Sequence, residues 1–254
     1  MGYWIFAGNN FSQIAVGNAN CIWAIESGTT LKRRSLSDPS GWETVAGPVN
    51  NATYATIGCS EDGTVMLTDS HGVIYRFNSF NNTWITFNQY NFAQIFVGSA
   101  KYIWSLGADG YAYQYTQEES FVQRSNTANP EGVLTTLSIG EDGEVVAVNS
   151  NNQLMRYISN NQFHAIPNLK ATVVSVASAA NIIAADTGNT VQRYIGEGYW
   201  DQFDMVDRSG NPLPTGTISA LSAGVDGTVF MLLNNPNVVG NLYVYIPYDL
   251  PKNA

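Results

Sequence analysis

A short apolar run closing on a small residue recurs six times along the chain. It reads "QIAVG", "ATIG", "QIFVG", "LSIG", "SVAS" and "LSAG", and closes at Gly17, Gly58, Gly98, Gly140, Ser178 and Gly224. The steps between these closing residues are 41, 40, 42, 38 and 46 residues. A copy of that length cannot bury a hydrophobic face alone, so neighbouring copies must cover one another. This excludes an ordinary single-core globule and leaves repeat architectures.

Within each copy the apolar period is two, with β-branched and aromatic residues between turn signals, which specifies short antiparallel strands. The second copy gives four in succession: "ATYATIG", "GTVMLTDS", "VIYRFNS" and "TWITFNQ". One second-strand position is apolar in all six copies, as Trp23, Met66, Trp104, Val146, Ile183 and Phe230. The fourth strand opens on an aromatic at Trp42, Trp84, Phe121, Phe163 and Trp200. No stretch offers three helical turns with a consistent apolar face, so the fold class is all-β. Six four-stranded antiparallel units predict a six-bladed β-propeller formed as one domain over residues 1–254.

The sixth copy lacks its fourth strand, since only "YDLPKNA" follows "NLYVYIP". The missing piece stands at the other end, where "GYWIFAG" (residues 2–8) carries Trp4 in the expected place. The N-terminal strand is therefore expected to complete the blade formed by residues 217–247 and close the ring, removing an exposed edge. A longer period overlies the first. Copies two, four and six carry Glu61-Asp62-Gly63, Glu141-Asp142-Gly143 and Val225-Asp226-Gly227 between strands one and two, whereas the odd copies carry "NAN", "SAK" and "SAAN". The duplicated unit is a pair of blades used three times.

The stretches "WETVAG", "QIAVGNANCIWAI", "QIFVGSAKYIWSL", "VIYRF", "LMRY" and "VQRY" resemble the tectonin repeat, the unit of six-bladed lectins in fungi, slime moulds and animals. The resemblance spans all six copies. It implies carbohydrate binding through several equivalent weak sites, often on microbial or methylated surface glycans and in the service of defence.

Composition agrees with a neutral ligand. The formal net charge is -9, with 11 basic residues, so clustered cations for nucleic acid or an anionic membrane are lacking. Neither a transmembrane span nor a secretory signal is visible, which makes the cytoplasm the expected compartment unless export is non-classical. The sequons at Asn10, Asn51 and Asn81 then read as chance, and Cys21 and Cys59 as buried thiols. The Asp-Gly turns carry carboxylates but lack the further oxygen ligands calcium needs, so they read as hairpin turns and no metal or cofactor is expected. His71 and His164 occupy non-equivalent positions, and neither has a Ser, Cys or carboxylate partner that suggests a triad. "SEDGT" at residues 60–64 is an incomplete Asp-box. These features predict a protein without catalytic function.

Two sets of residues are candidates for ligand binding. Trp4, Trp42, Trp84 and Trp200 could serve as platforms for sugar rings, although their fixed place in each copy suits wedges between blades better. Arg33, Arg76, Arg156 and Arg193 share a third-strand position, from which a guanidinium could bind sugar hydroxyls or tie one blade to the next. Trp23 and Trp104 align with Val146 and Ile183 and are expected to be buried. A multivalent lectin is the leading expectation. A carrier of one aromatic or pigment-like ligand and a protein-interaction scaffold are the alternatives.

Overall fold

A computed structural model of the chain describes residues 2–88, 92–116, 120–125, 132–235 and 238–247. These hold strands and turns and no helix. The closing stretch 248–254, where no fourth strand is expected, lies outside the described residues, as does Met1.

The strands pair antiparallel in sequence order. The first copy supplies Phe11–Asn18, Cys21–Glu26, Thr30–Arg34 and Glu43–Val45 as one four-stranded sheet, and copies two and three form equivalent sheets. Copies four and five differ from the expectation of separate sheets, because they share a single seven-stranded one. The reason is one unbroken strand, Gln162–Ser178, whose residues up to Lys170 pair with copy four and whose residues from Ala171 pair with copy five. No turn interrupts it, although Asn168 takes a positive φ of 67° just before the partner changes.

In the last sheet, Thr217–Ala223, Val229–Asn235 and Val238–Pro247 are joined by the N-terminal Gly2–Gly8, which runs antiparallel against Leu242–Pro247. Trp4 stands opposite Tyr245 in that pairing.

The equivalence of the copies is visible in register. Every first strand shifts register near its start, at Phe11/Gln13, Tyr54/Thr56, Phe92/Gln94, Leu134/Thr136, Ala171/Val173 and Ile218/Ala220. A bulge bends its strand and steepens the local twist, so the same device shapes each sheet at the same place. The first strands also touch in succession, and that of the first copy contacts that of the sixth.

The apolar core is divided among the gaps between successive sheets. One cluster joins Trp23 and Ile25 of copy one to Ile57, Leu67 and Phe77 of copy two. Another joins Val146 and Leu154 of copy four to Val174 and Ile182 of copy five. A third joins Ile22 of copy one to Phe230 and Leu242 of copy six. Both faces of a blade are therefore buried, which is why second strands such as Val65–Asp69 and Val145–Asn149 are covered throughout. The recurring glycine has a steric origin. A Cβ on Gly17 would lie 2.3 Å from the backbone carbon of Ser60, and one on Gly98 would lie 2.1 Å from the carbonyl oxygen of Gly140.

Candidate functional site

The candidate tryptophans are tied into the fold. Trp4 is 1% exposed, and its indole N–H donates to the carbonyl of Asp204 at 3.1 Å. Trp42, Trp84 and Trp200 are half-buried and donate in the same way to the carbonyls of Ala7, Ala46 and Pro167. Each bond thus reaches the end of the preceding copy. Their rings pack on neighbours within about the same distance, Trp84 at 5.0 Å from Phe77 and Trp200 at 5.1 Å from Tyr194. Burial and the fixed indole bond make Trp4 a wedge between sheets, with no ring face free to serve as a platform. Trp23 and Trp104 are buried as expected, at 4% and 2% exposed.

The structure brings the arginines to a common place. Arg33, Arg76, Arg156 and Arg193 stand opposite Trp23, Met66, Val146 and Ile183 on the adjacent second strand, and are half-buried. That face looks onto the next copy, because Trp23 packs with copy two and Val146 with copy five. Each guanidinium therefore stands at the gap between two successive copies. Arg156 forms an ion pair with Glu144 at 2.6 Å and lies 5.7 Å over Tyr194 of the following copy. Arg193 lies 4.8 Å over Phe203.

Between the first and second sheets this gap opens into a groove. It encloses about 380 Å³, with Trp23 and Phe77 beneath and Arg33, Arg34, Glu43 and Asp38 around it. Arg33 donates from Nε and Nη2 to the two carboxylate oxygens of Glu43 at 2.7 and 3.0 Å, and from Nη1 to Asn82 of the next sheet at 3.2 Å. Such a bidentate pair fixes both planes, leaving a donor-rich and an acceptor-rich edge side by side. The hydrogen bonds from Arg33 hold the Glu43 carboxyl below its ordinary range. On one wall, the Asn20 amide oxygen accepts from Ser35 and Ser37.

Sequence reasoning missed Glu43, Asn82 and Arg34. Glu43 was findable, since it lies directly across the hairpin from Arg33. Arg34 replaces the aromatic found at its position in the other copies and lies 6.0 Å over Trp42, keeping the cation–π equivalent of their ring pairs. Asn82 comes from another sheet, and no local pattern points to it.

The Asp-Gly turns bind protein. Asp62, Asp142 and Asp226 each accept from the N–H of a residue two places on, Thr64, Glu144 and Thr228, through one oxygen. The other oxygen crosses to the next copy and accepts from Ala100, Ala179 and Ala19 at 2.7, 2.8 and 2.7 Å. Burial opposes ionisation at Asp62, but the bonds from Ser60, Ala100 and Thr64 outweigh it and hold that carboxyl below its usual value. Asp226 is lowered likewise, its bonds from Ala19 and Thr228 overcoming burial. This is the physical content of the pairwise period: every even copy latches onto the odd copy after it. Among the described residues, no group of three or more His, Cys, Asp or Glu side chains is placed to hold a metal.

The sequence matches no family model and no curated protein. Solved structures do resemble the fold. A streptogramin B lyase matches at a TM-score of 0.64 and 12% identity, over 96% of this chain and 97% of its own. Virginiamycin B lyase from Staphylococcus aureus matches at 0.61 and 15% identity, over 97% and 88%. YCF48 bound to a D1 peptide matches at 0.62 and 11% identity, over 96% and 79%. At these identities the likeness concerns the fold alone. It overturns one expectation, that of a protein without catalytic function, because structures that share this fold include enzymes. None of the three is a tectonin lectin. By architecture this chain is an all-β protein of antiparallel sheets with the β-propeller fold.

Proposed function

We propose that the chain is a six-bladed ring, a single domain closed by its N-terminal strand, that binds surface carbohydrate in the grooves between blades. The ring reading is supported by the six matching bulges, by the pairing of Gly2–Gly8 with Leu242–Pro247, and by the contact between the first strands of copies one and six. The binding reading rests on one observation: the bidentate Arg33–Glu43 pair bordering a groove of about 380 Å³ with Trp23 and Phe77 beneath it. That volume lies within the range of small-molecule sites, about 300–1,000 Å³. A sugar offers both hydroxyl donors and acceptors along its rim and apolar C–H faces. Fixed carboxylate and guanidinium edges suit the rim, and an aromatic floor suits the face.

The recurrence of arginine at the gaps following copies one, two, four and five supports several sites on one rigid ring. Each would bind with a Kd of about 0.1–1 mM. Together they would gain roughly 10²–10⁴ in avidity on a glycan-coated surface. The test is a glycan array including methylated and bacterial glycans, followed by titration calorimetry of the best hit against wild type and Arg33→Ala. The variant is expected to bind about tenfold more weakly per site, a difference of about 1.4 kcal/mol. An array without a hit ends the carbohydrate reading.

One observation favours a second site class. The first strands enclose an axial space of about 430 Å³, bordered by Gln13, Gln94, Thr135, Thr172 and Ser219 and by no Asp, Glu, His, Lys or Arg. A single neutral, hydroxyl-rich ligand suits it better than a pigment-like one, since among the described residues Phe96 is the only aromatic that lines it. A stoichiometry of one per chain, unaffected by Arg33→Ala, would identify that site.

A further inference from the structure

The two cysteines lie 38 positions apart in the sequence yet meet across the gap between the first and second sheets. Cys21 opens the strand Cys21–Glu26, and Cys59 ends the strand Tyr54–Cys59; these two strands are in contact. The Cys59 thiol donates to the carbonyl oxygen of Cys21 at 3.4 Å, which brings the two residues together across the gap. Their surroundings differ. Cys59 is 5% exposed within the apolar cluster, whereas Cys21 is part-exposed and borders the groove beside Trp23 and Arg33.

We propose that Cys21 and Cys59 are a redox pair that forms a reversible disulfide between the first two blades, with a peroxide as oxidant. The division of labour follows from the asymmetry. The Cys59 thiol beside it holds the Cys21 thiol below its ordinary value, against burial and the Asp62 charge, so the thiolate forms more readily at the more accessible sulfur. Burial, and then Cys21 itself, push the Cys59 thiol well up, so the covered sulfur keeps its proton. An accessible thiolate beside a second, resolving cysteine is the arrangement that oxidation by peroxide requires.

The Cys21 thiolate attacks one peroxide oxygen, the O–O bond breaks, and Cys21 sulfenic acid forms as hydroxide leaves and takes up a proton to become water. The Cys59 sulfur, giving up its proton, then attacks the Cys21 sulfur. The S–O bond breaks, the S–S bond forms, and the departing hydroxide leaves as a second water with that proton. Each sulfur has lost one electron, and the peroxide has taken both.

The experiment uses the full reduced chain exposed to hydrogen peroxide while folded. The expected result is loss of both titratable thiols, a non-reducing peptide map joining the Cys21 and Cys59 peptides within one chain, and a thermal midpoint raised by about 5–10 °C. Reduction should reverse all three. Cys59→Ser should stop at a Cys21 sulfenic acid captured by a 1,3-dicarbonyl reagent, and Cys21→Ser should leave Cys59 unmodified. Two thiols that stay free in the folded chain, a link found only between chains, or equal reactivity of the two variants would overturn the proposal. Should either serine variant fail to fold, the wild-type peptide map decides alone. The outcome is independent of carbohydrate binding.

Discussion

Replacing Trp4 by alanine probes whether the N-terminal strand is a working part of the last sheet. The ring is 1% exposed, 5.2 Å from Tyr245 and 6.1 Å from Phe203, so the substitution empties a packed site. Truncating a buried tryptophan or phenylalanine costs about 3–5 kcal/mol. The indole N–H bond to the Asp204 carbonyl adds about 1 kcal/mol, giving a loss near the top of that range. With a urea dependence of about 3 kcal/mol per molar for a chain of this size, the unfolding midpoint should fall by about 1.5 M. Trp84→Ala is the internal control. Trp84 is half-buried and makes the same kind of indole bond, to Ala46, so its loss should be smaller, about 1–2 kcal/mol. Urea unfolding followed by far-ultraviolet circular dichroism measures both. If Trp4→Ala unfolds with the wild type, or loses less than Trp84→Ala, the N-terminal strand is not integral to the sheet and the closed ring is wrong.

Two further outcomes follow from the aspartate latches. Asp62→Ala, Asp142→Ala and Asp226→Ala should each cost about 1–2 kcal/mol, and the triple variant close to their sum, because the three latches lie at separate interfaces; denaturant midpoints of the single and triple variants test this. The Asp62 and Asp226 carboxyls are held below the usual 3.8 in the folded chain, so the stability they contribute is complete above that value and is lost as pH falls through the folded values. Thermal midpoints should therefore drop below about pH 4, and a double Asp62→Asn, Asp226→Asn variant should show a flatter acid limb.

The enzyme neighbours show where a motif-based reading of function stops. No triad or metal-ligand spacing stands in the sequence, yet the same architecture is used by lyases at 12–15% identity. A fold shared at that distance carries no chemistry of its own, and the absence of a familiar motif excludes none.

The sequence by itself determined the strand content, the forty-residue period, the alternation of odd and even copies, and the aromatic that opens each fourth strand. These are local properties: a period of two along a strand and a glycine at a crowded closing position are written within a few residues of one another. It also placed Arg33, Arg76, Arg156 and Arg193 at one level, because equivalent positions in a repeat occupy equivalent positions in space. Only the tertiary structure decided what those residues meet. Asp62 reaches Ala100, Trp84 reaches Ala46, Arg33 reaches Asn82 and Cys59 reaches Cys21, each across the gap between neighbouring sheets. Those partners are set by how far one twisted sheet is rotated against the next, an angle that bulges and side-chain volume fix together and that no strand pattern records. The same packing buried Trp4 as a wedge, and it carried Gln162–Ser178 through copies four and five without a turn.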